Sequence, residues 1–195
     1  MSSCDPVKFS YKEIASITRD FNDVVEEDVL GKVYKATLSQ SGKPVKVVVR
    51  RADHSYWMQD FAYDKEVRML STLKHKNLVS LVGYCNDNNE MLVVNKDEAR
   101  GSLYDNLNDP IKLTWMRRLK ISVGVASALS YMHDHEGRNY SVMHRNVNSD
   151  TILIDENWEA KLSGFEYSTT IPDQDPVYER IRAVAYESDA FSFGI

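Results

Sequence analysis

The placement of apolar residues changes character at Gly101-Ser102, and that change limits the possible folds more than any other feature of the chain. Before it, two β-branched runs, Lys32–Leu38 and Val45–Arg50, flank the turn-rich stretch Ser39-Gln40-Ser41-Gly42-Lys43-Pro44. Such a pattern predicts an antiparallel hairpin. Leu78–Tyr84 and Met91–Asn95 read as two further strands around the polar turn Asn86–Glu90. After the change, Thr114 to about His133 carries Leu119, Val123, Ala126 and Leu129, with Ile121, Val125 and Met132 beside them. A helix apolar on more than one stripe is expected to be buried. Strands first and helices later predict an α+β chain of two lobes.

Local signals fill in the rest. Ser10 followed by Glu13 is a capping-box pair, and Tyr11, Ile14, Ile17 and Phe21 lie at near-helical spacing, so a short amphipathic helix opens the chain. Tyr63, Val67, Leu70 and Leu73 place a longer helix from about Met58 to Leu73. Short strands are expected at Ser141–His144, Thr151–Ile154 and Ala160–Ser163, the last two joined by Asp155-Glu156-Asn157-Trp158. The expected organisation is an N-terminal extension over 1–22, a sheet lobe with one long helix over 23–97, and a mainly helical lobe over 98–195.

Composition enters mainly by exclusion. A net charge of −5 leaves no basic excess to neutralise phosphates, so nucleic acid is not an expected partner. Cys4 and Cys85 supply no disulfide framework and no metal spacing, which points to a reducing, cytoplasmic compartment. Cys4 reads as a plain surface cysteine rather than an acylation site. No apolar run approaches the roughly 20 residues of a membrane helix. His133 and His135 read as a helix end, not as metal ligands.

Several segments, in order, resemble plant receptor-like protein kinases of the Pelle/IRAK type. They are Phe9-Ser10-Tyr11-Lys12-Glu13-Ile14, Gly31-Lys32-Val33-Tyr34-Lys35, His75-Lys76-Asn77-Leu78-Val79 and Leu81-Val82-Gly83-Tyr84-Cys85. Gly101-Ser102-Leu103, Val142-Met143-His144-Arg145 and Ser188-Asp189-Ala190-Phe191-Ser192-Phe193-Gly194 continue the series. The resemblance implies a protein-kinase-like fold with nucleotide between a small sheet lobe and a helical lobe. It also marks departures. Of the glycine-rich phosphate loop only Gly31 and Val33 remain, with Glu26 and Asp28 at the first two glycine positions. These acidic residues read as a solvated turn. The strand lysine is Arg50, and its helix partner is retained as Glu66, so an Arg50–Glu66 ion pair is expected.

In the catalytic loop the resemblance puts Asn146 where the proton-accepting aspartate belongs, Asn148 at the usual lysine, and Thr151 at the metal-binding asparagine. Asp150 is a neighbouring carboxylate in another register. The metal-binding Asp-Phe-Gly becomes Gly164-Phe165-Glu166. Leu70, His144, Phe165 and the anchoring Asp189 sit at positions that in active kinases build an apolar column. Only 24 residues separate Gly164 from Asp189, and the chain stops at Ile195, where a central buried helix is expected to begin and apolar surface is expected to be left uncovered.

The expectation is therefore a degenerate, truncated pseudokinase: a binding or scaffold module in receptor-kinase signalling with no catalytic residue and no metal ligand. Gly31, Val33 and Glu66 are retained nucleotide-binding positions, and no cofactor is expected. A protein partner is expected, an active receptor-like kinase among the candidates, with membrane association only through that partner. The alternatives are a weakly active serine/threonine kinase using ATP and magnesium, and a relic without stable function.

Overall fold

The computed structural model describes residues 6–28, 30–40, 42–52, 59–134, 137–172, 184 and 186–193. Cys4, Ser41, Met58, His135 and Gly194-Ile195, used above, lie outside them. The architecture is α+β. The chain divides into one unit of residues 1–72 and 80–97 and a second of 73–79 and 98–195.

The first unit is built on a six-stranded sheet. In chain order its strands are β1 (Val7–Lys8), β2 (Val24–Asp28), β3 (Gly31–Gln40), β4 (Lys43–Arg51), β5 (Leu81–Cys85) and β6 (Leu92–Lys96), arranged β1-β5-β6-β4-β3-β2. The expected hairpin is β3–β4, in register from Lys32 opposite Arg51 to Gln40 opposite Lys43. Alternation then sorts its side chains onto two faces. Tyr34, Val47 and Val49 join Cys85, Leu92 and Val94 in a buried cluster closed by Ile14 of α1 (Tyr11–Ile17). Val33 and Arg50 belong to the opposite face, with Glu66 of α2 (Gln59–Thr72).

Helix α1 begins as its sequence dictates. Ser10 Oγ accepts from the Glu13 amide at 3.3 Å while the Glu13 carboxylate accepts from the Ser10 amide at 2.8 Å. Arg51 holds this segment, its guanidinium 6.0 Å from the Tyr11 ring centroid and 4.7 Å from that of Phe21, and it pairs with Glu90 through two hydrogen bonds of 2.7 and 2.5 Å.

Two expectations for this unit need correction, and one strand is new. Glu26, Glu27 and Asp28 do not form a solvated turn but lie in edge strand β2, paired with Val33, Lys32 and Gly31. The strand expected from Leu78 begins at Leu81, because Leu78 and Val79 belong to the second unit, where Val79 N–H donates to Leu162 O at 3.0 Å. Strand β1 had no expected counterpart. It pairs parallel to β5, Val7 opposite Gly83, and Phe9 N–H donates to Tyr84 O at 2.8 Å.

The second unit contains α3 (Leu103–Asn106), α4 (Trp115–His133) and two ribbons, β7 (Tyr140–Met143) with β10 (Thr169–Pro172) and β8 (Ile152–Ile154) with β9 (Ala160–Leu162). Residues 186–193 are helical. Gly124 lets α4 approach closely, since a Cβ there would lie 2.9 Å from Asn77 Nδ2 and 3.3 Å from Ala160 Cβ. Helix α4 was expected to be buried, but only one face is. Ile121, Val125, Leu129 and Met132 are covered, whereas Trp115, Met116, Leu119 and Val123 form an exposed apolar stripe. Sequence periodicity reports apolar character and not what covers it.

The approach of β1 to β5 yields a test. A Cβ on Gly83 would sit 2.2 Å from Val7 O and 2.4 Å from the Phe9 ring. Gly83→Ala should lower unfolding free energy by about 1–3 kcal/mol in urea titration and accelerate amide exchange at Phe9. An unchanged midpoint and exchange rate would show that this contact does not hold β1.

Candidate functional site

In the first unit the three retained positions have separate local reasons to exist. Gly31 opens β3 at φ +128°, and a Cβ there would come within 2.0 Å of Arg51 O. Only glycine fits that backbone, whatever the loop binds. Val33 is buried opposite Arg50 in the β3–β4 ladder. Glu66 is buried, and the expected ion pair is present: its Oε2 lies 3.2 Å from Arg50 Nη1, while its Oε1 accepts from Asn95 Nδ2 at 3.1 Å. Both carboxylate oxygens thus have a donor within the unit. Asn95 gave no sign of this role in the sequence, because its partner is 29 residues away.

In the second unit the loop from His144 to Thr151 joins β7 to β8 and hangs from Asp189. The Asp189 carboxylate, 1% exposed, accepts from the amides of His144 and Arg145 at 2.8 Å each and from His133 Nε2 at 3.0 Å. Burial pushes the Asp189 carboxyl up, but these donors outweigh it and hold it below the ordinary aspartate range. Arg145 takes a left-handed φ of 67° beneath that clamp. His133 is more than the helix end expected for it. It also stacks on Tyr186 at 4.1 Å.

His144 is fully buried beside Phe165, edge to face at 5.0 Å. Its Nε2 donates to Ser163 O at 2.8 Å and its Nδ1 accepts from the Asn146 amide at 3.2 Å. Both nitrogens are therefore used in the neutral form. Burial pushes its pKa down to about 4, opposed by Asp189 and the Ser163 carbonyl.

Beyond His144 the loop hydrogen-bonds to itself and to Glu166. Asn146 Nδ2 donates to Glu166 Oε1 at 3.1 Å, and Asn146 Oδ1 accepts from Asn148 Nδ2 at 3.0 Å. Asn148 Oδ1 accepts from the amides of Asp150 and Thr151 at 2.8 and 3.1 Å. Thr151 Oγ1 donates to Asn146 O at 2.7 Å and accepts from the Asn148 amide at 3.1 Å. Gly164 follows β9 at φ +84°, and a Cβ on it would lie 2.6 Å from Thr151 Cγ2. Glu166 is buried in a single 3-10 turn, Phe165–Tyr167. Asp150 is exposed.

A sequence profile described as protein tyrosine and serine/threonine kinase matches residues 20–186. Over 96% of its length the chain is 36% identical to the receptor-like protein kinase ANXUR1 of Arabidopsis thaliana, covering 24% of that protein. It is 35% identical to a nodulation receptor kinase of Pisum sativum, with 99% of the chain and 22% of that protein covered. It is 34% identical to the probable serine/threonine-protein kinase PBL26 of Arabidopsis thaliana, with 96% of the chain and 50% of that protein covered. The chain belongs to the plant receptor-like protein kinase family. It is a kinase-like α+β domain, and this receptor-like kinase chain spans about a quarter of the length of ANXUR1 and its similar relatives. Among the described residues no helix is long and apolar enough to cross a membrane, and no cluster of metal-ligating side chains occurs.

The buried imidazole of this kinase-like domain makes its stability pH-dependent. The folded pKa of His144 is depressed, so the unfolded chain takes up the proton first as pH falls. The stabilisation is complete above about pH 6.5 and is lost progressively toward pH 4, for a total of about 3 kcal/mol. Urea titrations from pH 7 to 4.5, with NMR titration of the His144 ring, should show that decline and a ring still neutral at pH 5. A His144 midpoint near 6.5 would contradict the burial argument.

Proposed function

We propose that this chain is a pseudokinase, a kinase-like domain that acts by binding a protein partner rather than by transferring phosphate. The observation that carries the reading is the hydrogen bond from Asn146 to Glu166. At the position where a kinase's aspartate accepts the substrate proton, the chain has an amide, and that amide is already donating. Loss of a general base costs about 10²–10⁴ in rate by itself.

The residues present do not fit magnesium. Gly164 offers no ligand, the methyl group of Thr151 fills the space a side chain there would need, and the Thr151 hydroxyl is donated to Asn146 O. Glu166, the carboxylate two residues after Gly164, is buried and held by Asn146. Without a metal clamp bridging the phosphates, transfer lacks its main electrostatic support. In the first unit Gly31 and Glu66 are accounted for by backbone geometry and by Arg50 and Asn95, so neither requires a nucleotide to explain it. No cofactor is proposed.

The binding half of the reading draws on α4. Its stripe of Trp115, Met116, Leu119 and Val123 is apolar where a lone domain's outward helix face is ordinarily charged. Relatives named as receptor kinases suggest signalling at such receptors as the setting, with an active receptor-like kinase as the proposed partner and a cytoplasmic site of action.

The purified chain, incubated with radiolabelled ATP, magnesium and a generic protein substrate, should incorporate no label above background into itself or the substrate. The exposed Asp150 is the one carboxylate on the loop that could serve as a displaced base. Transfer that Asp150→Ala abolishes would replace this reading with that of a weak serine/threonine kinase.

A further inference from the structure

We infer that Asn146 with Glu166 and Thr151 with Gly164 form two co-adapted pairs, so that neither Asn146 nor Gly164 can revert alone to the aspartate of an active kinase. The inference builds on the pseudokinase reading and adds that the site is closed by complementary packing and hydrogen bonding, not only emptied of chemistry.

The first pair is complementary in hydrogen bonding. Glu166 is buried, and its Oε1 accepts from Asn146 Nδ2 at 3.1 Å. A carboxylate only accepts, so the partner at 146 must donate. Aspartate there would set two carboxylates against each other at that distance, one of them buried. Asparagine at 146 is thus the residue that a buried glutamate at 166 demands. Exchanging the roles should work equally well, since glutamine at 166 could donate to an aspartate at 146.

The second pair is complementary in shape. Gly164 takes φ +84°, a region that aspartate tolerates better than most residues. Conformation alone therefore does not exclude aspartate. Space does: a Cβ on residue 164 would lie 2.6 Å from Thr151 Cγ2, with Thr151 Cβ and Asn146 Nδ2 next, at 3.1 and 3.3 Å. Thr151 cannot turn its methyl group away freely, because its hydroxyl donates to Asn146 O and accepts from the Asn148 amide. Serine at 151 would keep both bonds and remove the obstructing carbon. The pairs also meet each other, since the same Asn146 amide that serves Glu166 borders the space above Gly164.

Two double-mutant cycles test this, read as unfolding equilibrium constants in urea at pH 7.5 on the full chain. In the first, Asn146→Asp should favour unfolding about tenfold or more, and Asn146→Asp with Glu166→Gln should recover most of that loss. In the second, Gly164→Asp should be similarly costly, Thr151→Ser nearly neutral, and the two together markedly more stable than Gly164→Asp alone. Should Gly164→Asp fail to fold, recovery of a cooperative transition on adding Thr151→Ser becomes the readout, and no recovery overturns that pair. Effects that simply add within either cycle overturn the corresponding pairing. Additive cycles in a chain that transfers no phosphate would sink this inference alone. Coupled cycles in a chain that does transfer phosphate would sink the functional reading alone.

Discussion

The carboxylate of Asp189 organises the second unit. Three donors converge on it, two of them backbone amides of the loop itself, and it is almost fully buried. Hydrogen bonds to an ionised, buried acceptor are about twice as strong as neutral ones, so the loop's start is fixed in place. From that anchor follow the left-handed Arg145, the neutral His144 held between Ser163 and Asn146, and Phe165 packed on the imidazole. The chain thus keeps the framework that presents a catalytic loop. What it presents is an amide network whose donors and acceptors are largely spent on one another.

This separates two kinds of retained residue. Gly31 and Glu66 invite a nucleotide-binding reading by position, yet each is explained locally, one by a backbone that excludes Cβ and the other by two donors from its own unit. Conversely, Thr151 and Gly164 read in isolation as lost ligands, whereas together they form one packed contact. The side chains of Asn146, Asn148 and Thr151 bond chiefly within the loop, in the local pattern that asparagine and threonine favour in turns.

Much of the fold was legible because its signals are local. The Ser10–Glu13 capping box lies within four residues, and the β3–β4 hairpin is written in two β-branched runs around one turn. Strand β1 was not legible, since two residues cannot show a period and their partner, Gly83, is far along the chain. Strand β2 was hidden by its acidic composition, although its backbone pairs with β3 regardless of charge. The exposed stripe of α4 was not legible, because a helix pattern records where apolar residues are, not whether anything covers them. In the site, the identities of Asn146, Thr151, Gly164 and Glu166 were plain in the sequence. Their mutual contacts were not, and neither was the link from His133 to Asp189, which spans 56 residues.

The central proposal is that this kinase-like domain does not hold a metal-bound nucleotide. Thermal unfolding with and without millimolar magnesium-ATP tests it most directly, because any ligand that binds only the folded state must stabilise it, by about 2.7 kcal/mol at a hundred times its dissociation constant. The account predicts superimposable transitions. A melting temperature that rises with nucleotide concentration only when magnesium is present would contradict it.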